Sequence, residues 1–317
     1  MRGMVVRLTD AWTEILRRRA SNTSSGPYAA PVQEMLGEMT AAAALMQSNI
    51  KFDGSLVLQI FGDGPVKVAV VEVQPDLSLR ATATVTEAVS GDSRLSQMVN
   101  VNNQGRCAIT LDPKTKFPGQ QPYQGVVPLF DDHGRPIEKL SAVLEHYMLQ
   151  SEQLDTTLVL AANDTVAAGL LIQRLPMAGG ANLAGEVLVS ADEDQIGRNE
   201  DYNRIAHLAS SLTREELLTL DVDTILRRLF WEEKLLRFEP QQGDTGPRFA
   251  CSCSRERVGN MLRSLGRDEI ESILAERDDV EVGCEFCGQQ YRFDAVDAAQ
   301  IFVSPMISQQ PVPPAIQ

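Results

Sequence analysis

"SLVLQIFGDGPVKVAVVEV", Ser55–Val73, is the stretch on which the fold turns. Aliphatic and β-branched residues fill both sides of Gly62-Asp63-Gly64-Pro65, and that tetrapeptide is a strong turn signal. Two antiparallel strands joined by a hairpin follow. On its C-terminal side "LSLRATATV" at 77–85 alternates apolar with polar residues and reads as a third strand. "RCAITLD" at 106–112, "TTLVLAA" at 156–162 and "VAAGLLIQRL" at 166–175 add further strands. Helical spacing governs Val5 to Arg19, where Val5, Leu8, Trp12, Ile15 and Leu16 share a face. It also governs Val32 to Met46 and residues 137–154. "SNTSSGP" at 21–27 is a loop. Residues 1–176 are therefore expected to form an α+β body, a largely antiparallel sheet with helices packed on it.

After Pro176 the texture changes. Residues 177–200 are rich in small and acidic side chains and read as a connection. Helical patterning returns from Asp201, with Ile205, Leu208, Leu212, Leu217, Leu218, Ile225, Leu226, Leu229 and Phe230 supplying apolar faces. Thr213 and Glu216 have the spacing of a capping box. Residues 186–239 hold 13 acidic side chains against 7 basic ones. Short, charged helices are marginal unless an apolar face docks, so 177–243 is expected to be a metastable acidic linker. Residues 244–317 form a C-terminal module, ending in the Pro-rich "SQQPVPPAIQ", which is expected to be disordered.

The chain has 317 residues and a formal net charge of -14, which opposes a broad phosphate-binding surface. No apolar run reaches the roughly 20 residues that span a bilayer. The N-terminal "MRGMVVRLTDAWTEILRRR" has no signal-peptide core, so a cytoplasmic protein without membrane or nucleic-acid partners is expected. Five cysteines, an odd number, argue against a disulfide framework.

Four of them are gathered as Cys251-x-Cys253 and Cys284-x-x-Cys287, separated by 30 residues. That grouping favours a single zinc ion in an all-cysteine shell, because His133, His146 and His207 all lie far off in sequence. Gly283 and Gly288 flank the second pair and let backbone amides approach the sulfurs. A bridge inside Cys-x-Cys would close a strained ring and be oxidising. Arg255 and Arg257 would favour the thiolates that oxidants attack. Cys107 sits in a strand and reads as a small buried apolar residue.

The chain resembles the 33-kDa heat-shock chaperone family. The resemblance is carried by "FGDGPVKVAV" at 61–70, "YQGVVPL" at 123–129, "YMLQSEQLDT" at 147–156, "REELLTLDVDTILRRLFWEE" at 214–233, "CSCSRERV" at 251–258 and "SILAERDDVEVGCEFCGQQYRF" at 272–293. It implies a redox-regulated, ATP-independent holdase and not an enzyme. Zinc would be held by Cys251, Cys253, Cys284 and Cys287 when reduced. Oxidation would give Cys251–Cys253 and Cys284–Cys287 bridges, metal loss, linker unfolding, dimer formation and binding of unfolded clients. Candidate client-binding residues are Leu217, Leu218, Ile225, Leu226, Leu229, Phe230 and Trp231. The stretch at 112–122 is longer than the family's usual connection, and the Pro-rich tail is extra.

Two other readings have specific sequence support. Arg255, Arg257, Arg263 and Arg267 would suit a zinc-ribbon nucleic-acid regulator, opposed by Glu269, Glu271, Glu276, Asp278 and Asp279. Cys284-Glu-Phe-Cys287 would suit a thiol oxidoreductase if it opened a helix beside a βαβ unit.

Overall fold

The computed structural model of the chain describes residues 1–22, 26–115, 117, 119–175, 197 and 199–303. Of the connection expected at 177–200, residues 177–196 and 198 lie outside the described residues, as does the whole tail expected at 308–317. The backbone divides into two compact units, Met1–Ala250 and Cys251–Gln317.

The first unit runs β1 (Arg2–Leu8), α1 (Asp10–Ala20), α2 (Ala30–Asn49), β2 (Gly54–Phe61), β3 (Val66–Val73), β4 (Ser78–Val85) and α3 (Leu95–Val99). It continues with β5 (Arg106–Pro113), β6 (Tyr123–Pro128), α4 (Leu140–Glu152), β7 (Thr156–Ala162) and β8 (Ala167–Gln173). Helices α5 (Glu200–Ser210), α6 (Arg214–Thr219) and α7 (Val222–Phe230) and the short β9 (Arg248–Phe249) complete it. The Gly62–Pro65 turn joins β2 to β3, with the Gly62 amide donating to the Lys67 carbonyl. The strands form two sheets where the sequence suggests one: a six-stranded sheet, β6-β5-β2-β3-β4-β9, and a three-stranded one, β1-β8-β7. All pairings are antiparallel except β4 with β9.

Helix α2 touches strands of both sheets. A helix placed between two apolar faces must be apolar nearly all round, and Ala41, Ala42, Ala43, Ala44, Leu45 and Met46 are all buried. The alanines keep that middle layer thin. At Gly37 even a methyl group would meet the Ala162 Cβ at 2.4 Å, so glycine is what lets α2 approach β7.

The N-terminus departs from expectation. The helix predicted over Val5–Arg19 begins only at Asp10, and residues 2–8 form β1, with Val5 opposite Leu170 of β8. The β-branched pair Val5-Val6 fits a pleated surface, and pairing with β8 outweighs the helical spacing. Strands β6 and β9 and helix α3 are likewise absent from the sequence reading. Each is short, and β6 follows a long irregular stretch that hides its pattern.

Strand β8 is buried along its whole length. Ala167 and Leu171 belong to the main core with α2. Ala168, Leu170 and Ile172, pointing the other way, belong to a second core with Tyr202, Ile205, Ala209, Leu217, Ile225, Leu229 and Phe230. The three-stranded sheet thus has an apolar outer face, and α5, α6 and α7 are its cover.

The second unit contains α8 (Arg255–Leu265), α9 (Arg267–Glu276), β10 (Asp279–Gly283), β11 (Gln290–Asp294) and α10 (Ala295–Val303). Among the described residues its core is small: Leu262, Ile270, Val280, Phe293 and Ala298. Among the described residues no helix is long and apolar enough to cross a membrane.

Candidate metal centre

Two local structures deliver the sulfurs. Cys251 and Cys253 precede α8, whose Ser254 side chain caps the helix by accepting from the Arg257 amide. The helix start fixes the end of the Cys-x-Cys segment. Cys284 and Cys287 sit in the turn of the β10–β11 hairpin, just past the Gly283–Gln290 pair. The Cys284 amide donates to the Gln289 carbonyl at 2.9 Å and the Gly288 amide to the Cys284 carbonyl at 2.8 Å. Gly288 closes this knuckle with φ of +73°, a left-handed conformation that favours glycine. The amides of Phe286 and Cys287 then point at the Cys284 sulfur, and that of Gln289 at the Cys287 sulfur. Gly288 therefore does what the sequence suggested, whereas Gly283 is the last residue of β10, paired with Gln290.

The four Sγ atoms lie within 4.8 Å of one another. Cys251 is 3.7 Å from Cys284 and Cys253 is 3.3 Å from Cys287, so each sulfur of the first pair faces one of the second. A tetrahedral zinc–thiolate shell with bonds of about 2.3 Å has sulfur–sulfur edges of about 3.8 Å. The cluster has the dimensions and the donor chemistry to hold a metal ion. All four cysteines are partly buried.

Electrostatics points the same way. Burial pushes the thiols of Cys284 and Cys287 up. At Cys253 burial also acts upward, but hydrogen bonds from Tyr291 and the neighbouring thiols outweigh it and bring the group down to about 7. Four thiolates this close repel one another, and a bound cation is what makes the fully ionised cluster stable. Tyr291, on β11, donates its hydroxyl hydrogen to the Cys253 sulfur at 3.1 Å, a contact the sequence reading missed. Its position four residues after Cys287 was the only available signal.

With this geometry in place, comparison with known proteins is direct. A family model described as Hsp33 protein matches residues 1–294. The chain belongs to the Hsp33 family. Among similar proteins, a 33 kDa chaperonin of Chromobacterium violaceum is 41% identical over 302 residues, covering 95% of this chain and 90% of that protein. A 33 kDa chaperonin of Methylobacillus flagellatus is 38% identical over 308 residues, covering 97% and 92%. A crystal structure of a 33 kDa chaperonin from Thermotoga maritima matches with a TM-score of 0.68 at 18% identity, over 94% of this chain and 92% of that one. At that identity the likeness speaks for the fold. Membership in the Hsp33 family makes this chain a chaperone.

The basic cluster of this Hsp33 member is held by its neighbours. Arg255 pairs with Asp297 at 2.6 Å and lies over the Phe293 ring. Arg257 donates to the Ser252 hydroxyl, Arg263 to the Ile301 carbonyl and Arg267 to Glu271. The Cys284–Cys287 turn joins two antiparallel strands, not a strand to a helix as the oxidoreductase reading required. Cys107 is fully buried in β5, and burial pushes its thiol up to about 12, so it behaves as the apolar residue expected.

The candidate client-binding residues divide into two groups. Leu217, Ile225, Leu229 and Phe230 are buried in the second core, with Leu218 and Leu226 packed at its margin. Trp231 is 74% exposed. It lies one residue past α7, beyond the last turn that faces the sheet. It shares this exposure with Leu236 and Phe238, which the sequence reading did not single out.

Proposed function

We propose that this chain is a redox-switched, ATP-independent holdase that binds unfolding proteins under oxidative stress. The observation that carries the reading is the gathering of four sulfurs within 4.8 Å in a unit whose apolar core is so small. Cys251, Cys253, Cys284 and Cys287 would be the ligands of one zinc ion. Bound zinc would supply the charge that holds four thiolates together. Two-electron oxidation of Cys251 with Cys253, and of Cys284 with Cys287, would convert four anionic donors into two neutral disulfides. The unit would then lose most of what folds it. Loss of this unit would loosen α5, α6 and α7 and uncover the apolar faces they share with β1, β8 and β7. Clients would bind there, through Leu217, Leu218, Ile225, Leu226, Leu229, Phe230 and Trp231 and the strand residues beneath. The oxidised chain would associate as a homodimer, and the protein would work in the cytoplasm.

The test pairs zinc content with suppression of client aggregation, without ATP, before and after peroxide treatment under mild heat. The expected result is zinc release, a rise in hydrophobic-dye fluorescence and onset of aggregation suppression together. Zinc retained while suppression appears, or suppression equal in the reduced form, would overturn the switch.

A further inference from the structure

Helix α6 is held at both ends by arginine. It has six residues, of which only Leu217 is fully buried. A helix that short does not persist alone. Its C-terminal carbonyls have no partners within the helix and carry the negative end of the dipole. Arg7, on β1, supplies them: Nη1 donates to the carbonyls of Leu217 at 3.0 Å and Leu220 at 3.3 Å, and Nη2 to that of Leu218 at 2.5 Å. Arg214, the first residue of α6, reaches in the opposite direction. It donates to the Ala162 carbonyl at the end of β7 and pairs with Glu34 on α2. One arginine of the body grips the cover, and one of the cover grips the body.

This grip extends beyond α6. Only Leu220 and Asp221 separate α6 from α7, and Arg228 of α7 pairs with Glu216 of α6 at 2.7 Å. Ile225, Leu229 and Phe230 of α7 are therefore tied to the same latch. Arginine suits the task because its planar fork carries five donors, whereas lysine presents a single point charge.

We infer that Arg7 and Arg214 are positioning residues that latch α6 to the body and so set how readily the cover over β1, β8 and β7 opens. The inference rests on the proposed switch, whose opened state it regulates.

The experiment uses the full-length, reduced, zinc-loaded chain and the variants Arg7→Met and Arg214→Met, which keep the apolar stem and remove the donors. Proteolysis between residues 199 and 230 and hydrophobic-dye fluorescence report opening, with zinc measured in the same samples. Emission from Trp12, which is fully buried and bonded to the Asn163 carbonyl, reports the body when read in a Trp231→Phe background that removes the second tryptophan. Each Met variant is expected to be cleaved roughly tenfold faster or more with zinc still bound, since charged hydrogen bonds are removed and cleavage follows the open population. Arg214→Lys should recover most of the protection and Arg7→Lys only part. Wild-type cleavage in both Met variants, while oxidised wild type shows the expected rise in dye binding, would overturn the latch. Absence of that rise in oxidised wild type would instead sink the switch, and faster cleavage of the variants would still establish the latch. If Arg7→Met loses the buried Trp12 emission, Arg214→Met alone decides between these outcomes, by the same criterion.

Discussion

The Tyr291 hydroxyl donates to the Cys253 sulfur at 3.1 Å, tying β11 to the Cys-x-Cys segment. A donor aimed at sulfur favours the thiolate, and metal binding requires thiolates. Tyr291→Phe keeps the ring and removes only that donor. Zinc affinity at pH 7 is expected to fall about tenfold, the lower end of what loss of an outer-shell partner produces. Competition against a chromophoric chelator measures it. Unchanged affinity would show the contact to be incidental.

Removing the metal should act locally first. Among its described residues the Cys251–Gln317 unit has only Leu262, Ile270, Val280, Phe293 and Ala298 buried as apolar core. Without a cation, four crowded sulfurs oppose the fold instead of supporting it. Chelation of the reduced chain is expected to make residues 255–303 protease-sensitive while Trp12 emission, read in a Trp231→Phe background, stays unchanged. Protection that survives chelation would mean that the small core suffices.

How much of this was legible beforehand depends on range. The Ser55–Val73 hairpin, α2, α4 and the spacing of the four cysteines rest on local pattern, and local pattern sufficed. The error at Val5–Arg19 was one of range: β1 exists because β8 offers it an edge 159 to 171 residues away, and no window of sequence contains both. The separate burial of even and odd residues on β8 was hidden for a related reason. A strand covered on both faces reads as one continuous apolar run. Arg7 reaches the cover through three hydrogen bonds and Tyr291 reaches the sulfur cluster through one, all to residues distant in sequence. Their residue types alone could not announce those roles.

The division among the candidate client-binding residues gives a paired mutational test. Leu229 is buried on the inner side of the cover, in the second core, and Trp231 is exposed. Leu229→Ala leaves a cavity in the second core and is expected to destabilise the docked helices by about 2–5 kcal/mol. Trp231→Ala should change stability by less than about 0.5 kcal/mol, as exposed positions do. Urea unfolding monitored by helical signal separates the two. Equal effects would contradict the packing of α7.

Glu38 gives the body a pH dependence. It lies on α2, where burial chiefly, and then the charge of Glu34, push its carboxyl up to about 8, with Arg214 and Lys139 offsetting only part. An unfolded chain releases that proton near pH 4.5, the ordinary value for glutamate. Between those limits the native state binds more protons than the unfolded state, so stability falls as pH rises from about 4.5 to about 8 and levels off above. Glu38→Gln, which needs no proton to remain neutral, should flatten that part of the profile and raise the melting temperature most at pH 8. Melting curves of both proteins from pH 5 to pH 9 measure the difference. Parallel profiles would show that Glu38 ionises normally in the fold.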